Sequence, residues 1–286
     1  MNLLPRILIF AFSVAFIANS FAAATERIEL WNKHAPVGDG TFTEEETWLT
    51  VHRPGKPNGT GVIICPGGGY RGLVTGAEGH GIAKWLNKHG ITGVVLEYRL
   101  PKGRAYVPLL DAQQAIRHVR AKAKKWKLNP KRIGIMGFSA GGHLASTAGT
   151  YFDLGDKQAK ERLGNRPDFM ILVYPVISFG TQGHRGSRDN LLGKAASDEL
   201  IRRFSNHLQV SPNTPPAYLA HAVDDKPVPP ANSRMFHSAM KDAGRPCTYL
   251  ELPNGGHGLN GYKGPNWDAW QAGSIRWLLE LDLIPQ

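Results

Sequence analysis

Cysteine is scarce in this sequence, and its spacing fits neither a disulfide framework nor a cysteine-based metal site. Cys65 and Cys247 are the only two cysteines among 286 residues. No C-x-x-C pair and no cluster of histidine and cysteine predicts a metal site. Cys65 ends one predicted strand and Cys247 begins another, and these ends are not adjacent in the topology predicted below. We therefore expect two free, buried thiols and no bound metal.

Long hydrophobic runs are also rare. Residues 7–17 form an apolar stretch, but a transmembrane helix needs roughly 20 apolar residues, and no later segment approaches that length. Arg6 precedes this stretch and three alanines at residues 22–24 follow it, as in a secretory signal peptide. We predict a signal peptide over residues 1–24 and a secreted or periplasmic protein with no stable membrane insertion after cleavage. An uncleaved N-terminal anchor is the alternative.

Acidic residues are outnumbered by basic ones. The chain has 34 Lys and Arg against 23 Asp and Glu, which gives a formal net charge of +11. Such a charge can indicate nucleic acid or an anionic surface as a partner. The basic residues are scattered, however, and the densest group, at residues 117–131, falls in one predicted helix and the turn after it. This pattern favours a solvated helix face and predicts no nucleic-acid partner. It leaves the oligomeric state open.

Strand-like and helix-like patterns alternate along the chain. Short apolar runs predict buried strands at residues 61–65, 91–98, 133–136, 169–176, 217–223 and 247–252. Apolar stripes at helical spacing predict helices at residues 78–89, 109–126, 231–243 and 267–279. This alternation predicts a single α/β domain over residues 25–286, with a mostly parallel, twisted sheet and helices on both faces. Residues 48–51 alternate like an exposed strand. Residues 179–213 are polar and irregular, with a short helix near 199–204, and are too few for a large cap domain.

The pentapeptide Gly137-Phe138-Ser139-Ala140-Gly141 lies between a predicted strand and a predicted helix. In that position, a G-x-S-x-G sequence is typical of a nucleophile elbow, a tight turn that presents the serine hydroxyl. The turn strains the backbone of the serine, and side chains on the flanking residues would collide. The sequence therefore predicts Ser139 as a catalytic nucleophile.

An activated serine needs a base, and the base needs an acid that orients it. On this architecture the acid and then the base follow the serine, each in a loop after a strand. Asp224 and Asp225 follow one predicted strand, and His257 follows the next in a glycine-rich loop. We prefer Asp225, which leads straight into the next helix, with Asp224 as the alternative. His143 lies in the helix that Ser139 begins, and His221 lies within a strand, so both suit the base less well.

An acyl-transfer reaction also needs backbone N–H groups that stabilise the oxyanion. We predict that one such donor is the backbone N–H of Ala140, the residue after the nucleophile. The loop at residues 66–70 contains three consecutive glycines after a buried strand, and it predicts Gly68 and Gly69 as further candidates. The same loop also spells G-x-G-x-x-G up to Gly72, which is the pattern of a dinucleotide site. The next predicted helix starts too far from Gly72 to hold a pyrophosphate, so the oxyanion role is preferred.

Taken together, these motifs resemble the α/β-hydrolase superfamily. Within it, they are similar to compact esterases known as acetyl esterases, acetylxylan esterases or xylanase B-like esterases. The motifs that carry the resemblance are Cys65-Pro-Gly-Gly-Gly-Tyr70, Leu109-Leu-Asp-Ala-Gln-Gln-Ala115, Gly137-Phe-Ser-Ala-Gly-Gly-His143, Asp224-Asp-Lys-Pro-Val-Pro229 and Gly256-His-Gly258. The resemblance implies a Ser139–His257–Asp225 triad, an acyl-enzyme and no cofactor. It also implies short acyl esters as substrates, such as acetyl groups on xylan or a related carbohydrate. Pro66 stands where many lipase-like relatives have histidine, which disfavours a lipase of the hormone-sensitive type.

Two other functions are compatible with the same motifs. A serine exopeptidase related to prolyl oligopeptidases would share the triad, but such enzymes usually carry an extra domain. A carbohydrate-binding protein on an inactive hydrolase fold would not need intact triad candidates. Aromatic side chains could bind sugar rings or pack in the core, and we select Tyr70 as the substrate-binding candidate. The other aromatic candidates are Tyr262, Trp267 and Trp270.

Overall fold

The computed structural model describes residues 23–32, 35–36, 47–153 and 164–285. The predicted signal peptide therefore lies outside the described residues, except for its last two positions. Ala24, the last residue of that prediction, begins the first strand. Within the described ranges, none of the helices is long and apolar enough to cross a membrane.

Eight strands in the described part of the chain form one sheet, in the order β1-β2-β4-β3-β5-β6-β7-β8. Their bounds are β1 Ala24–Glu29, β2 Trp48–Arg53, β3 Gly61–Cys65, β4 Thr92–Glu97, β5 Ile133–Phe138, β6 Met170–Val173, β7 Ala217–Ala222 and β8 Cys247–Leu252. Strands β3 to β8 are parallel to one another, whereas β1 and β2 are antiparallel to their neighbours. The predicted mostly parallel sheet is confirmed. The prediction of an exposed strand at residues 48–51 is wrong, because β2 pairs on both sides and its central residues are buried.

The described helices are α1 Gly81–Lys88, α2 Val107–Ala121, α3 Ala123–Trp126, α4 Ser139–Thr150, α5 Arg185–Leu192, α6 Asp198–Arg203, α7 Ala231–Asp242 and α8 Pro265–Glu280. The helix predicted over residues 109–126 is two helices, because the backbone leaves helical geometry at Lys122. Helix α5 was not predicted. Its buried apolar residues are confined to one end, at Leu191 and Leu192, so the sequence shows no apolar stripe. No segment in the described ranges forms a separate cap domain.

Helices cover both faces of the sheet, as predicted. On one face, α2, α4 and α7 pack through residues such as Ile116, Leu144 and Phe236. On the other, α1 and α8 pack through residues such as Leu86 and Trp270. Strands buried on both faces explain the short, wholly apolar runs in the sequence. The C-terminal ends of the parallel strands remain open at one edge, where the loops that carry the predicted site begin.

Both cysteines are free thiols, as predicted. Cys65, at the end of β3, is buried, whereas Cys247, at the start of β8, is only half-buried. The expectation of two buried thiols is therefore correct for Cys65 alone. Burial raises the pKa of both thiols, and that of Cys247 to about 12. Neither thiol is activated for chemistry, since the thiolate is the reactive form.

Candidate active site

The Ser139 turn has the strained geometry that the glycine-flanked serine predicts. Strand β5 ends at Phe138, and α4 begins at Ser139, whose φ of +52° lies in the left-handed region. A Cβ on Gly137 would collide with the carbonyl of Gly141, and one on Gly141 would collide with the carbonyl of Cys65. The close approach of β5, α4 and β3 therefore requires glycine at both positions. Such strain is typical of residues held for function.

Three side chains from separate loops form a hydrogen-bonded chain. The Ser139 hydroxyl donates to Nε2 of His257 at 2.8 Å. Nδ1–H of His257 donates to Oδ2 of Asp225 at 2.7 Å, because a carboxylate can only accept. Ser139 is 8% exposed and Asp225 is 3% exposed. The arrangement gives the hydroxyl a base within reach and fixes the tautomer of that base.

Asp225 has further partners besides His257. Its Oδ1 accepts the N–H of Val228 at 3.0 Å, and its Oδ2 faces Nε2 of His221 at 3.2 Å. Burial by itself would raise the pKa of Asp225, but hydrogen bonds from His221 and His257 outweigh it and lower that pKa to about 2. Asp225 is therefore ionised at every pH at which a histidine base can work.

His221 is a supporting residue that the sequence did not indicate. It is fully buried, and its Nδ1 accepts from the Ser233 hydroxyl at 2.8 Å. Its Nε2–H donates to the carbonyl of Val228 at 2.9 Å as well as facing Asp225. The core role expected for this histidine thus includes orienting the acid. Its position four residues before Asp225, at the end of a strand, is the signal that could have indicated this.

Asp224 has a different task from its neighbour. It accepts the backbone N–H groups of Gly255 at 3.3 Å and Gly256 at 2.8 Å. These glycines directly precede His257, so Asp224 ties the loop after β7 to the loop after β8. The geometry brings Asp225, and not Asp224, to the imidazole.

The loop at residues 66–70, here called the glycine loop, lies against the Ser139 turn. Gly68 has a φ of +131° and Gly69 a φ of +65°, and a Cβ on Gly68 would collide with the carbonyl of Gly72. The Tyr98 hydroxyl donates to the carbonyl of Pro66 at 2.7 Å, and the Asn190 amide donates to the carbonyl of Gly69 at 2.8 Å.

Three predicted oxyanion donors have unused N–H groups. Among the described residues, no acceptor is bonded to the amides of Gly68, Gly69 or Ala140. Ala140 lies in the first turn of α4, where backbone N–H groups have no partner within the helix. An oxyanion at the serine would find a positive helix end there.

A cavity of about 670 Å³ opens over Ser139 and His257. Gly68 and Gly69 line it on one side, and residues of the segment between β6 and β7 line it on another, including His184 and Asn190. Exposed Arg71 and Lys194 add positive charge to its wall. Acidic side chains and apolar surface line it as well, so the wall of the cavity has a mixed character.

Tyr70 does not line this cavity. Its side chain is 2% exposed and lies in the core, where its hydroxyl is bonded to Nδ1 of His143 at 2.9 Å. The ring has no open face for a sugar, so the assignment of Tyr70 to substrate binding is withdrawn. Trp267 and Trp270 are core residues as well. Tyr262 is the aromatic candidate that does line the cavity.

Among the described residues, no group of three or more His, Cys, Asp or Glu side chains could hold a metal ion. A second buried acid, Glu78, lines the cavity and was not predicted from the sequence. Glu78 begins a predicted helix and stands between Ala77 and Gly79, and nothing in this local pattern distinguishes it.

A mixed sheet with a strained serine between β5 and α4, and with acid and base on later loops, defines the α/β-hydrolase class. Residues 51–240 match the BD-FAE family, and the chain belongs to that family. The predicted fold class and the resemblance to acetylxylan esterases are confirmed by the relatives described next.

The curated relatives include an acetylxylan esterase from Xylanibacter ruminicola. It is 41% identical over 211 residues, which cover 72% of this chain and 42% of the relative. An endo-1,4-beta-xylanase B from Butyrivibrio fibrisolvens is 33% identical over 220 residues, which cover 74% of this chain and 34% of the relative. The chain thus spans less than half the length of each of these proteins.

Solved structures resemble the chain over nearly its whole length. The acetyl ester-xyloside bifunctional hydrolase from Caldicellulosiruptor lactoaceticus is 37% identical, with a TM-score of 0.82 over 91% of this chain and 97% of that one. The carboxylesterase Cest-2923 from Lactobacillus plantarum is 22% identical, with a TM-score of 0.74 over 93% of this chain and 100% of that one. The second likeness concerns the fold alone.

Proposed function

We propose that this protein is a serine carboxylesterase that hydrolyses short acyl esters, chiefly acetyl esters, on xylan or a related carbohydrate. The observation that carries the proposal is the chain from the Ser139 hydroxyl through His257 to Asp225, with bonds of 2.8 Å and 2.7 Å. The similarity to an acetylxylan esterase and to an acetyl ester-xyloside hydrolase supports acetyl esters as substrates.

The mechanism follows from these contacts. Nε2 of His257 takes the hydroxyl proton as Ser139 attacks the ester carbonyl. The oxyanion that forms accepts from the Ala140 N–H and from the N–H groups of Gly68 and Gly69. His257 then gives its proton to the departing alcohol, which leaves an acyl-Ser139 ester. Water, deprotonated by His257, attacks this ester, and the acid is released while Ser139 regains its proton.

The cavity supports a small acyl group on a polar alcohol. Gly68 and Gly69, which carry the proposed oxyanion donors, line the same cavity as Ser139, so the ester carbonyl would be bound inside it. Arg71, Asn190 and Lys194 also line the cavity, and all three side chains can bond to hydroxyl groups of a polar alcohol.

Export belongs to the same proposal. A basic residue, an apolar stretch and a small-residue site follow one another over residues 6–24, as in a secretory signal peptide. A polysaccharide too large to enter a cell would be reached by an enzyme outside it. N-terminal sequencing of the protein recovered from outside its host cell should begin at Thr25. Retention of residues 1–24 would favour the anchor instead.

The test of the activity is acetate release from acetylated xylan. We expect Ser139→Ala to lower kcat by about 10⁴-fold or more, because the nucleophile is lost while the binding surface remains. Ser211→Ala, in the loop before β7 at the opposite edge of the sheet, is the control and should retain full activity.

Two outcomes would change the proposal. Full activity in the Ser139→Ala protein would contradict the assignment of the nucleophile. Hydrolysis of p-nitrophenyl acetate without acetate release from xylan would retain the triad and direct the search to another ester, such as a feruloyl group or a small acylated sugar.

A further inference from the structure

A buried carboxylate lies beside the nucleophile and takes no part in the mechanism above. Glu78 is 3% exposed and lies in the π-turn Gly76–His80 that leads into α1. A Cβ on Gly67 would lie 2.6 Å from Oε2 of Glu78 and 3.0 Å from Cβ of Ser139. Gly67 therefore packs against both this carboxylate and the Ser139 turn, with no room for a side chain.

Three segments of the chain present donors to Glu78. The N–H of Gly67, in the glycine loop, donates to Oε2 at 2.7 Å. The hydroxyl of Tyr174, just after β6, donates to Oε1 at 2.9 Å. The hydroxyl of Tyr262, five residues after His257, faces the same carboxylate. An ionised carboxylate can only accept hydrogen bonds, and all three of these partners can donate.

Burial of this charge has a cost. It raises the pKa of Glu78 above its usual range, although hydrogen bonds from Tyr174 and Gly67 offset part of that rise. No arginine or lysine is paired with this carboxylate among the described residues. An apolar side chain would avoid the cost of burying a charge. The three donors therefore point to a role in holding those segments.

The donors of Glu78 include parts of the site on both sides of Ser139. On one side, the bond to Gly67 anchors the glycine loop just before Gly68 and Gly69, whose own N–H groups stay unused. On the other side, the ring of Tyr174 meets the imidazole of His257 edge to face, with centroids 4.9 Å apart.

The backbone on the His257 side is strained. Tyr174 has a φ of +37°, and the four residues Leu259–Tyr262 all have positive φ and form a left-handed turn. Such conformations persist only where surrounding contacts enforce them. The bond from Tyr174 to Glu78 is one such contact, and the Tyr262 hydroxyl faces the same group.

We propose that Glu78 is a positioning residue for the esterase reaction, whose carboxylate holds the glycine loop and the Tyr174–His257 side of the site in register around Ser139. This proposal rests on the proposed function, because it assigns Glu78 a part in the same acyl transfer. Glu78 transfers no proton in the mechanism above, and it acts through Gly67 and Tyr174.

Three substitutions separate the bonds of Glu78 from its charge. Glu78→Gln keeps an acceptor for Gly67 and loses the charge. Glu78→Asp keeps the charge but shortens the side chain by one methylene, which moves the carboxylate away from its donors. Glu78→Ala removes both the charge and the hydrogen-bond acceptor. We expect Ala and Asp to lower kcat for p-nitrophenyl acetate by about 10- to 100-fold, since a misplaced oxyanion donor costs this much or more. Gln should cost less than about 10-fold, and KM should stay within about threefold in all three proteins.

The pH profile adds a readout that a merely structural role would not change. The groups that face His257 are the carboxylates of Asp225 and Glu78, the ring of His184 and the ring of Tyr174. Loss of the Glu78 charge makes a protonated imidazole less favourable. The acid limb of the kcat/KM profile should therefore move to lower pH in Glu78→Gln and stay in place in Glu78→Asp.

Asp168→Asn is the matched control. Asp168 is also a carboxylate that accepts a backbone N–H, from Ile133 at 2.8 Å, but it lies at the opposite edge of the sheet, where β5 begins. Its substitution should lower the melting temperature without changing kcat or the pH profile.

A fourth variant keeps the test decisive if Glu78→Ala does not fold. Tyr174→Phe removes one donor and keeps the ring that packs on His257. With Glu78→Gln it forms a double-mutant cycle, in which we expect the losses in kcat to be clearly less than additive. Additive losses would overturn the proposal, as would unchanged kcat in a folded Glu78→Ala protein or a Glu78→Gln protein as impaired as Glu78→Asp.

Failure of this proposal can be distinguished from failure of the proposed function. Each protein is also tested for covalent labelling of Ser139 by a fluorophosphonate. A wild-type protein that is neither labelled nor active would overturn the proposed function. An active wild type with unaffected Glu78 variants would overturn the role of Glu78 alone.

Discussion

Asp224 and Asp225 are neighbours in the chain with different partners. Asp225 is buried between His221 and His257, whereas Asp224 is exposed and binds the amides of the His257 loop. A carboxylate that is hydrogen-bonded to the imidazole stabilises the positive charge that His257 carries during acyl transfer. A carboxylate on the loop backbone affects only where that loop lies.

Substitution of each aspartate by asparagine should therefore have unequal effects. We expect Asp225→Asn to lower kcat by about 10³- to 10⁴-fold, because the orienting charge is lost and the wrong tautomer of His257 is favoured. Asp224→Asn should cost less than about 10-fold, since the asparagine oxygen can still accept from the loop amides. Hydrolysis of p-nitrophenyl acetate by both proteins measures the difference, and equal losses would contradict it.

At the scale of structural elements, the glycine loop shows which glycines its conformation requires. Gly68 has a left-handed φ and faces the carbonyl of Gly72, whereas Gly72 has an ordinary φ and open space where a Cβ would lie. The two positions lie four residues apart and differ both in φ and in the space available to a side chain. The G-x-G-x-x-G pattern therefore reflects two different constraints, and Gly72 is free to vary.

Alanine at these two positions provides a matched pair. Gly68→Ala must displace the backbone of the loop, and with it an oxyanion donor, so we expect kcat to fall by about 100-fold or more. Gly72→Ala should leave kcat unchanged. Initial rates with p-nitrophenyl acetate decide the matter, and retained activity in Gly68→Ala would exclude that part of the loop from the oxyanion site.

At the scale of the whole molecule, a buried histidine links stability to pH. His143, on α4, is fully buried; its Nε2–H donates to the carbonyl of Phe204 at 2.8 Å, and its ring stacks on Phe179. Burial lowers the pKa of His143 to about 4, and the bond to Phe204 offsets little of this shift. The unfolded chain binds a proton at His143 near pH 6.5, whereas the folded protein binds it only near pH 4. The free energy of unfolding therefore decreases as the pH is lowered from 6.5 to 4.

The expected loss is about 3 kcal/mol in the free energy of unfolding between pH 6.5 and pH 4. His143→Gln cannot titrate, so it should be less stable than the wild type at pH 7 but lose less stability on acidification. Urea unfolding at pH 7 and pH 5 measures both. Equal pH dependence of the two proteins would contradict the role of His143.

Local patterns in the sequence were sufficient for much of the molecule. Apolar runs predicted the parallel strands because a strand buried on both faces must be apolar throughout. The glycine-flanked serine predicted a tight turn because only glycine tolerates the close backbone contacts at Gly137 and Gly141. Ser139, Asp225 and His257 could be predicted to meet because each follows a parallel strand, and the loops after parallel strands lie at the same end of the sheet.

Other features depended on which distant segments meet. Contacts between residues far apart in the chain explain three of these features. They are the burial of β2, the burial of Tyr70 against His143 and the choice between Asp224 and Asp225. Glu78 illustrates this most clearly, because its bonding partners come from the loop after β3 and the segment after β6. Spacing along a chain constrains the backbone over a few residues, whereas the meeting of distant side chains is decided by how the sheet and its helices pack.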